Sequence, residues 1–191
     1  MSGMRTPVQL TALTAGAVFV LTGCGLLVGG NSQPTGNATT TGKPSVAADV
    51  PSGYDTCKDI PQSVLDSEKL RRRDRADSDA SGGIKWRGCR YGRTDGYFAT
   101  ITTTNITVAM TRAKNFADAA EFTVNGREAL TTRQTDGNRD EACVANVAMN
   151  GGSLDVSVLN PASNRDTGQI DSCVIARILA EKIVPTMPAN A

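Results

Sequence analysis

An apolar run near the N-terminus ends in Leu21-Thr22-Gly23-Cys24, and this run constrains the rest of the chain more than any other feature. From Leu10 onward it carries no charge, and it is too short to span a bilayer as an ordinary helix. A short apolar segment that ends in small residues and a cysteine is typical of a cleaved secretory signal. A hydrophobic residue three positions before the cysteine and a glycine directly before it fit the lipoprotein form of this signal, in which the cysteine is acylated.

The position of this cysteine sets the expected domain organisation. We expect a signal peptide over residues 1–23, lipidation at Cys24, a flexible tether over residues 24–51 and a folded domain over residues 52–191. The tether is rich in small and polar residues and cannot bury enough apolar surface to offset its ordering entropy. Because several acyl chains anchor a protein stably, the expected location is the extracytoplasmic face of the cell membrane. A core helix and a cleaved signal without lipid are the alternatives.

Four cysteines remain in the domain once Cys24 is set aside. An even number of cysteines in an exported domain predicts two disulfides, for which three connectivities are possible. Pairing of sequence neighbours is the simplest, and its two loops would each constrain the unfolded chain by roughly 3.7 kcal/mol. A zinc site is the alternative, but the chain has no histidine and no Cys-x-x-Cys pair, so we expect no metal. The four residues are Cys57, Cys89, Cys143 and Cys173.

The absence of histidine also limits the chemistry. Triads that need histidine, as general base or as partner of a cysteine, are excluded. The formal net charge of +1 gives no general attraction to nucleic acid. We therefore expect no catalytic residue and no cofactor. The remaining enzymatic alternative is an envelope hydrolase or transferase with paired carboxylates. Its candidates all lie near predicted turns, and no spacing distinguishes two of them: Asp95, Asp136, Asp140, Glu141 and Asp155.

The first half of the domain mixes helix, loop and strand signals. A helix is predicted to begin at Pro61 and to end before Leu70. The charged run Arg71–Arg75 and the Asp, Ser and Gly residues that follow it predict a polar loop. Strands are predicted over 84–91, with a bulge at Gly88, and over 97–108, before a short helix at 111–120.

The second half shows clearer signals. Asn125-Gly126 is the strongest hairpin turn in the chain, and a second turn at 150–152 separates strands 142–149 and 153–159. A final amphipathic helix is predicted over 173–184, capped by Ser172 and stopped by Pro185. The order of elements predicts a single α+β domain, in which an antiparallel sheet carries the N- and C-terminal helices on one face.

Arginines and one tryptophan mark a candidate ligand surface. An arginine-rich segment can bind lipid phosphate, an anionic wall polymer or an acidic partner, although a solvated loop neutralised by its own aspartates is the plainer interpretation. The single tryptophan can form a sugar-stacking or cation–π surface, although a tryptophan beside a disulfide usually packs in the core. The residues are Arg71, Arg72, Arg73, Arg75 and Trp86.

The segments around the four domain cysteines, taken in their order along the chain, resemble those of a known family. They are the segments 57–61 and 88–91, the strand 143–147 and the helix that begins at Cys173. With the lipoprotein signal, this pattern resembles the actinobacterial lipoproteins of the mycobacterial LprB/LprC type, a domain family of unknown function. The resemblance implies a cell-envelope lipoprotein with nearest-neighbour disulfides and no catalytic motif.

These observations favour a non-enzymatic role. We expect a membrane-anchored binding or scaffolding module, and its partner is an envelope lipid, a wall glycan or a protein. A purely structural part of a larger membrane assembly is the other possibility, and a broad exposed apolar patch would indicate it.

Overall fold

The computed structural model describes residues 45–134 and 140–191, and one eight-stranded antiparallel sheet dominates them. The strand order is β1-β3-β4-β8-β7-β6-β5, and the short β2 also pairs with β3. The strands are β1 (Leu70–Arg75), β2 (Ser78–Ala80), β3 (Ile84–Arg93), β4 (Phe98–Thr104), β5 (Ala120–Val124), β6 (Arg127–Thr132), β7 (Ala142–Met149) and β8 (Gly152–Leu159). The α-helices are α1 (Gln62–Ser67), α2 (Val108–Arg112) and α3 (Ser172–Ile183), and single 3-10 turns cover Ser81–Gly83 and Val184–Thr186.

One face of the sheet forms the main core. Ile101, Ala145 and Val156 lie opposite one another on three adjacent strands and are fully buried. Their apolar neighbours pack against α3, whose apolar residues recur at helical spacing, and Leu65 of α1 belongs to the same core. The predicted α+β domain, with terminal helices against an antiparallel sheet, is therefore confirmed.

Both disulfides join sequence neighbours and connect an element to the sheet. Cys57–Cys89 ties the segment before α1 to β3, with 5.3 Å between the two Cα atoms. Cys143–Cys173 ties β7 to the first turn of α3, with a Cα–Cα distance of 5.0 Å. The simplest of the three connectivities, which the family resemblance also implied, is confirmed.

The prediction of a polar loop over Arg71–Arg75 is wrong. These residues form β1, an edge strand in which only Leu70 is buried. A run of charges hides the alternation of an ordinary strand, but charges are what an exposed sheet edge requires to prevent pairing with another chain.

The prediction of a bulge at Gly88 is also wrong. The pairing of β3 with β4 continues without a shift through Gly88 and Thr102, and the irregularity lies in β1, between Arg72 and Arg75. Gly88 is required for space instead. A Cβ atom there would lie 2.2 Å from the backbone oxygen of Ile101 and 2.4 Å from Oγ1 of Thr56.

The helix predicted over 111–120 lies earlier in the chain. The preceding strand ends at Thr104 rather than continuing to 108, and α2 occupies Val108–Arg112. Thr107 caps this helix, since its Oγ1 accepts a hydrogen bond from the amide of Met110. Asn115, with φ of 53°, follows the end of the helix, and β5 begins at Ala120.

The later elements follow the sequence closely. Asn125 and Gly126 both have positive φ, as a tight hairpin turn between β5 and β6 requires. β7 has the predicted bounds, and β8 begins one residue earlier than predicted. Helix α3 covers Ser172–Ile183, but its N-cap is Asp171 rather than Ser172, because the Asp171 carboxylate accepts from the amides of Cys173 and Val174.

The predicted signal peptide, Cys24 and most of the predicted tether lie outside the described residues. The last part of that tether, from Ser45 to Pro51, contacts the domain through residues such as Asn105, whose amide donates to the Ala47 carbonyl at 2.7 Å. Among the described helices, none has both the length and the apolar character to cross a bilayer.

Candidate functional site

The sheet face opposite the main core carries an open cleft of about 390 Å³. Residues of β3, β4, β7 and β8 form its floor, and the segment that links β1 to β2 forms one side. Polar side chains predominate along it. The lining residues are Arg75, Ala76, Asp77, Ser78, Trp86, Arg90, Thr100, Thr102, Val144, Asp155 and Ser157.

Asp155 is the most unusual titratable group in this cleft. It lies on β8, directly opposite Asn146 of β7. Burial raises the pKa of the Asp155 carboxyl to about 7, and the hydrogen bond from Asn146 opposes this rise. Among residues 45–134 and 140–191 no cation contributes to this shift, so burial dominates and favours the neutral carboxyl, which can donate a hydrogen bond.

Asn146 leaves one buried acceptor unused. The side chain is only 2% exposed, and its Nδ2 donates to Oδ2 of Asp155 at 3.2 Å. Its Oδ1 has no hydrogen-bond partner among the described residues. A buried acceptor without a partner costs free energy, and it belongs to the residue that is hydrogen-bonded to a carboxyl with a raised pKa.

The charged groups around the cleft are largely neutralised within the protein. Arg75 donates to both carboxylate oxygens of Asp77, at 2.9 and 3.2 Å, and Arg90 pairs with Asp74 at 3.1 Å. The bond from Arg75 is the main cause of a lowered pKa at Asp77, whose Oδ1 also accepts from the Gly88 amide. With Asp155 partly protonated, the cleft therefore has little net charge.

Trp86 lies on the cleft side of the sheet and outside the main core. It belongs to β3, pairs with Thr104 of β4, and is partly exposed. Cys89, three residues later, lies in the main core and forms its disulfide there. The indole therefore does not pack on this disulfide, and part of it is available to a ligand in the cleft.

The candidate arginines do not form one surface. Arg75 lines the cleft with Trp86, whereas Arg71 and Arg72 line a second depression of about 410 Å³ beside α1. Arg71 pairs there with Asp66 at 2.6 Å, and Arg72 donates to the carbonyl of Cys57 at 2.9 Å. Arg73 lines neither depression and passes close to Gly92.

The candidate carboxylates are likewise dispersed. Asp155 lines the cleft, Asp95 pairs with Arg165, and Asp140 and Glu141 line a separate depression near α3. Asp136 lies outside the described residues. Among residues 45–134 and 140–191, no three acidic or cysteine side chains are arranged to hold a metal ion.

Sequence reasoning missed the polar floor of the cleft. Thr100 and Thr102 on β4 alternate with core residues, as do Asp155 and Ser157 on β8. This alternation of polar and apolar residues was visible in the sequence. Asn146 was not predicted as a site residue. An asparagine among apolar strand residues does not indicate which residue lies opposite it on the neighbouring strand.

Comparisons with known proteins give a family but no activity. No curated protein and no solved structure matches the chain. The family model described as "Protein of unknown function (DUF3558)" matches residues 19–186, which include every element of the described sheet and all three helices. The chain therefore belongs to the DUF3558 family.

Proposed function

We propose that this protein is a membrane-anchored cell-envelope lipoprotein that binds an uncharged glycan in the cleft of the open sheet face. One observation carries the proposal: Trp86 and Asp155 line the same cleft. An aromatic face can stack on a sugar ring, and an uncharged carboxyl can both donate and accept hydrogen bonds with sugar hydroxyls.

The other lining residues fit this ligand class. Thr100, Thr102 and Ser157 add hydroxyl groups, each of which can donate and accept hydrogen bonds. Arg75 and Arg90 already pair with aspartates, so a strongly anionic ligand would have to compete with those ion pairs. A neutral polyhydroxylated ligand meets no such competition.

The location in the envelope is supported by sequence. The apolar run before Cys24, the small-residue tether and the two disulfides are all typical of an exported, lipid-anchored domain. The resemblance to the mycobacterial LprB/LprC type supports the same location. A wall or envelope glycan is the uncharged polymer that such a domain meets.

Immobilised envelope saccharides test the ligand class. We expect the purified full chain to bind one or more uncharged oligosaccharides, and Trp86→Ala to reduce retention at least tenfold. Arg71→Ala is the control, because Arg71 is exposed to solvent but lies in the other depression. Equal retention of all three proteins, or retention of charged saccharides alone, would contradict the proposal.

Incorporation of labelled palmitate tests the anchor. Wild-type protein expressed in its own envelope should carry the label, and Cys24→Ala should not. Growth with a labelled glycan precursor in the same cells would show separately whether a glycan co-purifies, so that a failed anchor and a failed ligand assignment give different results.

A carboxylate hydrolase or transferase is the second candidate. Asp155 and Asp77 line one cleft with pKa values shifted in opposite directions, as an acid and a base require. Binding is favoured because both Asp77 oxygens are already engaged by Arg75 and the Gly88 amide. Turnover of a bound glycan that Asp155→Asn abolishes, without loss of binding, would establish the enzyme instead.

A further inference from the structure

A second, more apolar cavity lies where the chain enters the described domain. This apolar groove has a volume of about 560 Å³ and is larger than the glycan cleft. Its apolar side chains are all partly exposed rather than buried. The groove is lined by Ser45, Val46, Gly82, Ile84, Ile106, Met110, Thr111, Lys114 and Phe116.

Asn105 fixes the first wall of the groove. It is completely buried, and its Nδ2 donates to the carbonyls of Ala47 at 2.7 Å and Gly83 at 2.8 Å. Its Oδ1 accepts from the amide of Lys85 at 2.9 Å. These three bonds hold the incoming chain against the start of β3, and they place Val46 beside Gly83.

Helix α2 and the residues around it form the other wall. The carbonyl of Ile106 accepts a hydrogen bond of 2.7 Å from the hydroxyl of Ser153, which fixes Ile106 relative to β8. The cap by Thr107 orients Met110 on the first turn of the helix. Lys114 lies on the rim, is exposed, and forms no ion pair with any described residue. The groove is thus pre-formed, apolar inside and cationic at its edge.

The length of the segment between Cys24 and Ser45 limits how far the groove can lie from Cys24. About 20 residues separate Cys24 from Ser45, and even fully extended they span at most roughly 70 Å. If Cys24 is held in a bilayer, the chain that leaves the membrane joins the described domain at this wall of the groove. Two exposed apolar residues, Phe98 and Leu159, lie at the other end of β4 and β8.

We propose that the apolar groove takes an acyl chain from an anionic phospholipid of the membrane that holds Cys24. Lys114 faces the phosphate of that lipid, and Val46, Ile106, Met110 and Phe116 contact the aliphatic chain. Each buried CH₂ group adds to the affinity, so a few carbons suffice to hold a domain that is already tethered nearby. This inference rests on the anchoring at Cys24 proposed above, but not on the glycan.

Photolabelling tests the groove with a chemically imposed anchor. In the oxidised full chain, Cys24 is the one cysteine outside the two disulfides, so its thiol can be coupled to a maleimide lipid. The vesicles contain phosphatidylcholine, one fifth phosphatidylglycerol, and a trace of phosphatidylglycerol with a diazirine in its acyl chain. We expect the label to fall mainly between Ile106 and Phe116.

Matched variants make the result specific. Phe116→Asp should reduce labelling of this segment at least fivefold, whereas Phe98→Asp, at an equally apolar exposed position, should leave it unchanged. Lys114→Glu changes only an exposed side chain and should reduce labelling by anionic lipid more than by a zwitterionic diazirine lipid. Labelling mainly at Phe98 or on the outer face of α3, or no difference between the variants, would overturn the proposal.

Chemical attachment of the lipid to Cys24 makes this test independent of the proposed function. Because the anchor is made chemically, the groove result does not depend on acylation in cells. Asp155→Asn, which alters only the glycan cleft, should be labelled like wild type. A wild-type chain that is labelled in the groove but binds no uncharged glycan would refute the glycan proposal alone, and a wild-type chain that binds glycan but is not labelled in the groove would refute the groove proposal alone.

Discussion

Asn146 and Asp155 face each other across β7 and β8, and a hydrogen bond of 3.2 Å joins the Nδ2 of one to the Oδ2 of the other. This is a polar pair in the middle of a sheet whose other face is apolar core. Asn146 is buried, and Asp155 lines a cleft that Trp86 also lines. Burying such a pair costs stability, and the presence of its Asp155 in the same cleft as Trp86 is the observation on which our functional proposal rests.

The raised pKa of Asp155 makes stability depend on pH. The unfolded carboxyl ionises near its ordinary value of 3.8, whereas the folded one ionises at about 7. Between these values the folded state binds more protons than the unfolded state, so the free energy of unfolding falls as pH rises from about 4 to about 7. The loss due to Asp155 is on the order of 4 kcal/mol.

Urea unfolding at pH 5 and pH 8 measures this dependence. Asp155→Asn removes the titrating group, so we expect the variant to be more stable than wild type at pH 8 and to lose less stability between the two pH values. A wild type that gains stability over this interval, or a variant with the same pH dependence as wild type, would show that Asp155 titrates normally.

A methyl group at Gly88 should disrupt the centre of the sheet. A Cβ atom there meets backbone oxygen at 2.2 Å, and the backbone of β4 cannot move without breaking its pairing. We expect Gly88→Ala to lose about 3 kcal/mol or more, by thermal or urea unfolding.

Gly126→Ala is the control for that change. Its Cβ atom meets nothing within 4 Å, and only the positive φ of 76° opposes it. The expected cost is about 1 kcal/mol. Equal losses for the two variants would mean that space at Gly88 is not the determining factor.

The two disulfides should be fully formed and stabilising. A thiol reagent applied before reduction should modify none of the four domain cysteines. Cys143→Ala with Cys173→Ala should lower the free energy of unfolding by roughly 3.7 kcal/mol, because α3 is then no longer linked to β7 in the unfolded chain. Labelling of Cys143 in the native oxidised protein would contradict this account.

Asn105 should determine whether the incoming chain stays on the domain. Asn105→Ala removes three hydrogen bonds and leaves the carbonyls of Ala47 and Gly83 without this donor. We expect a loss of about 2–3 kcal/mol and faster amide exchange or proteolysis at residues 45–49. Asn115→Ala, whose side chain makes one weak bond at 3.4 Å, is the control and should leave this segment protected.

The fold was largely predictable because its strongest signals are local. Hairpin turns such as Asn125-Gly126 need positive φ, and the apolar face of α3 repeats at helical spacing. The edge strand β1 was not predicted because its charged residues are exposed on both sides of the strand. Its sequence therefore shows no alternation of polar and apolar residues.

The candidate site was predictable only in part, since it is made by strands distant in the sequence. Trp86 and Arg75 were predicted as site residues from residue type alone, and Arg71 and Arg72 were predicted with them, although the bulge in β1 lies between these two arginines and Arg75. Asp155 became notable only once the pairing of β8 with β7 placed it beside Asn146. Single-chain patterns do not specify such cross-strand neighbours.

Fluorescence of Trp86 tests the central claim most directly, because the chain has no other tryptophan. Titration of the full chain with uncharged envelope oligosaccharides should shift the emission to shorter wavelength and saturate, as a sugar ring covers the partly exposed indole. Asp155→Ala should weaken the apparent affinity at least tenfold, and Arg71→Ala should not change it. An emission spectrum that no uncharged saccharide alters, or one that responds equally in Asp155→Ala, would contradict the proposed glycan site.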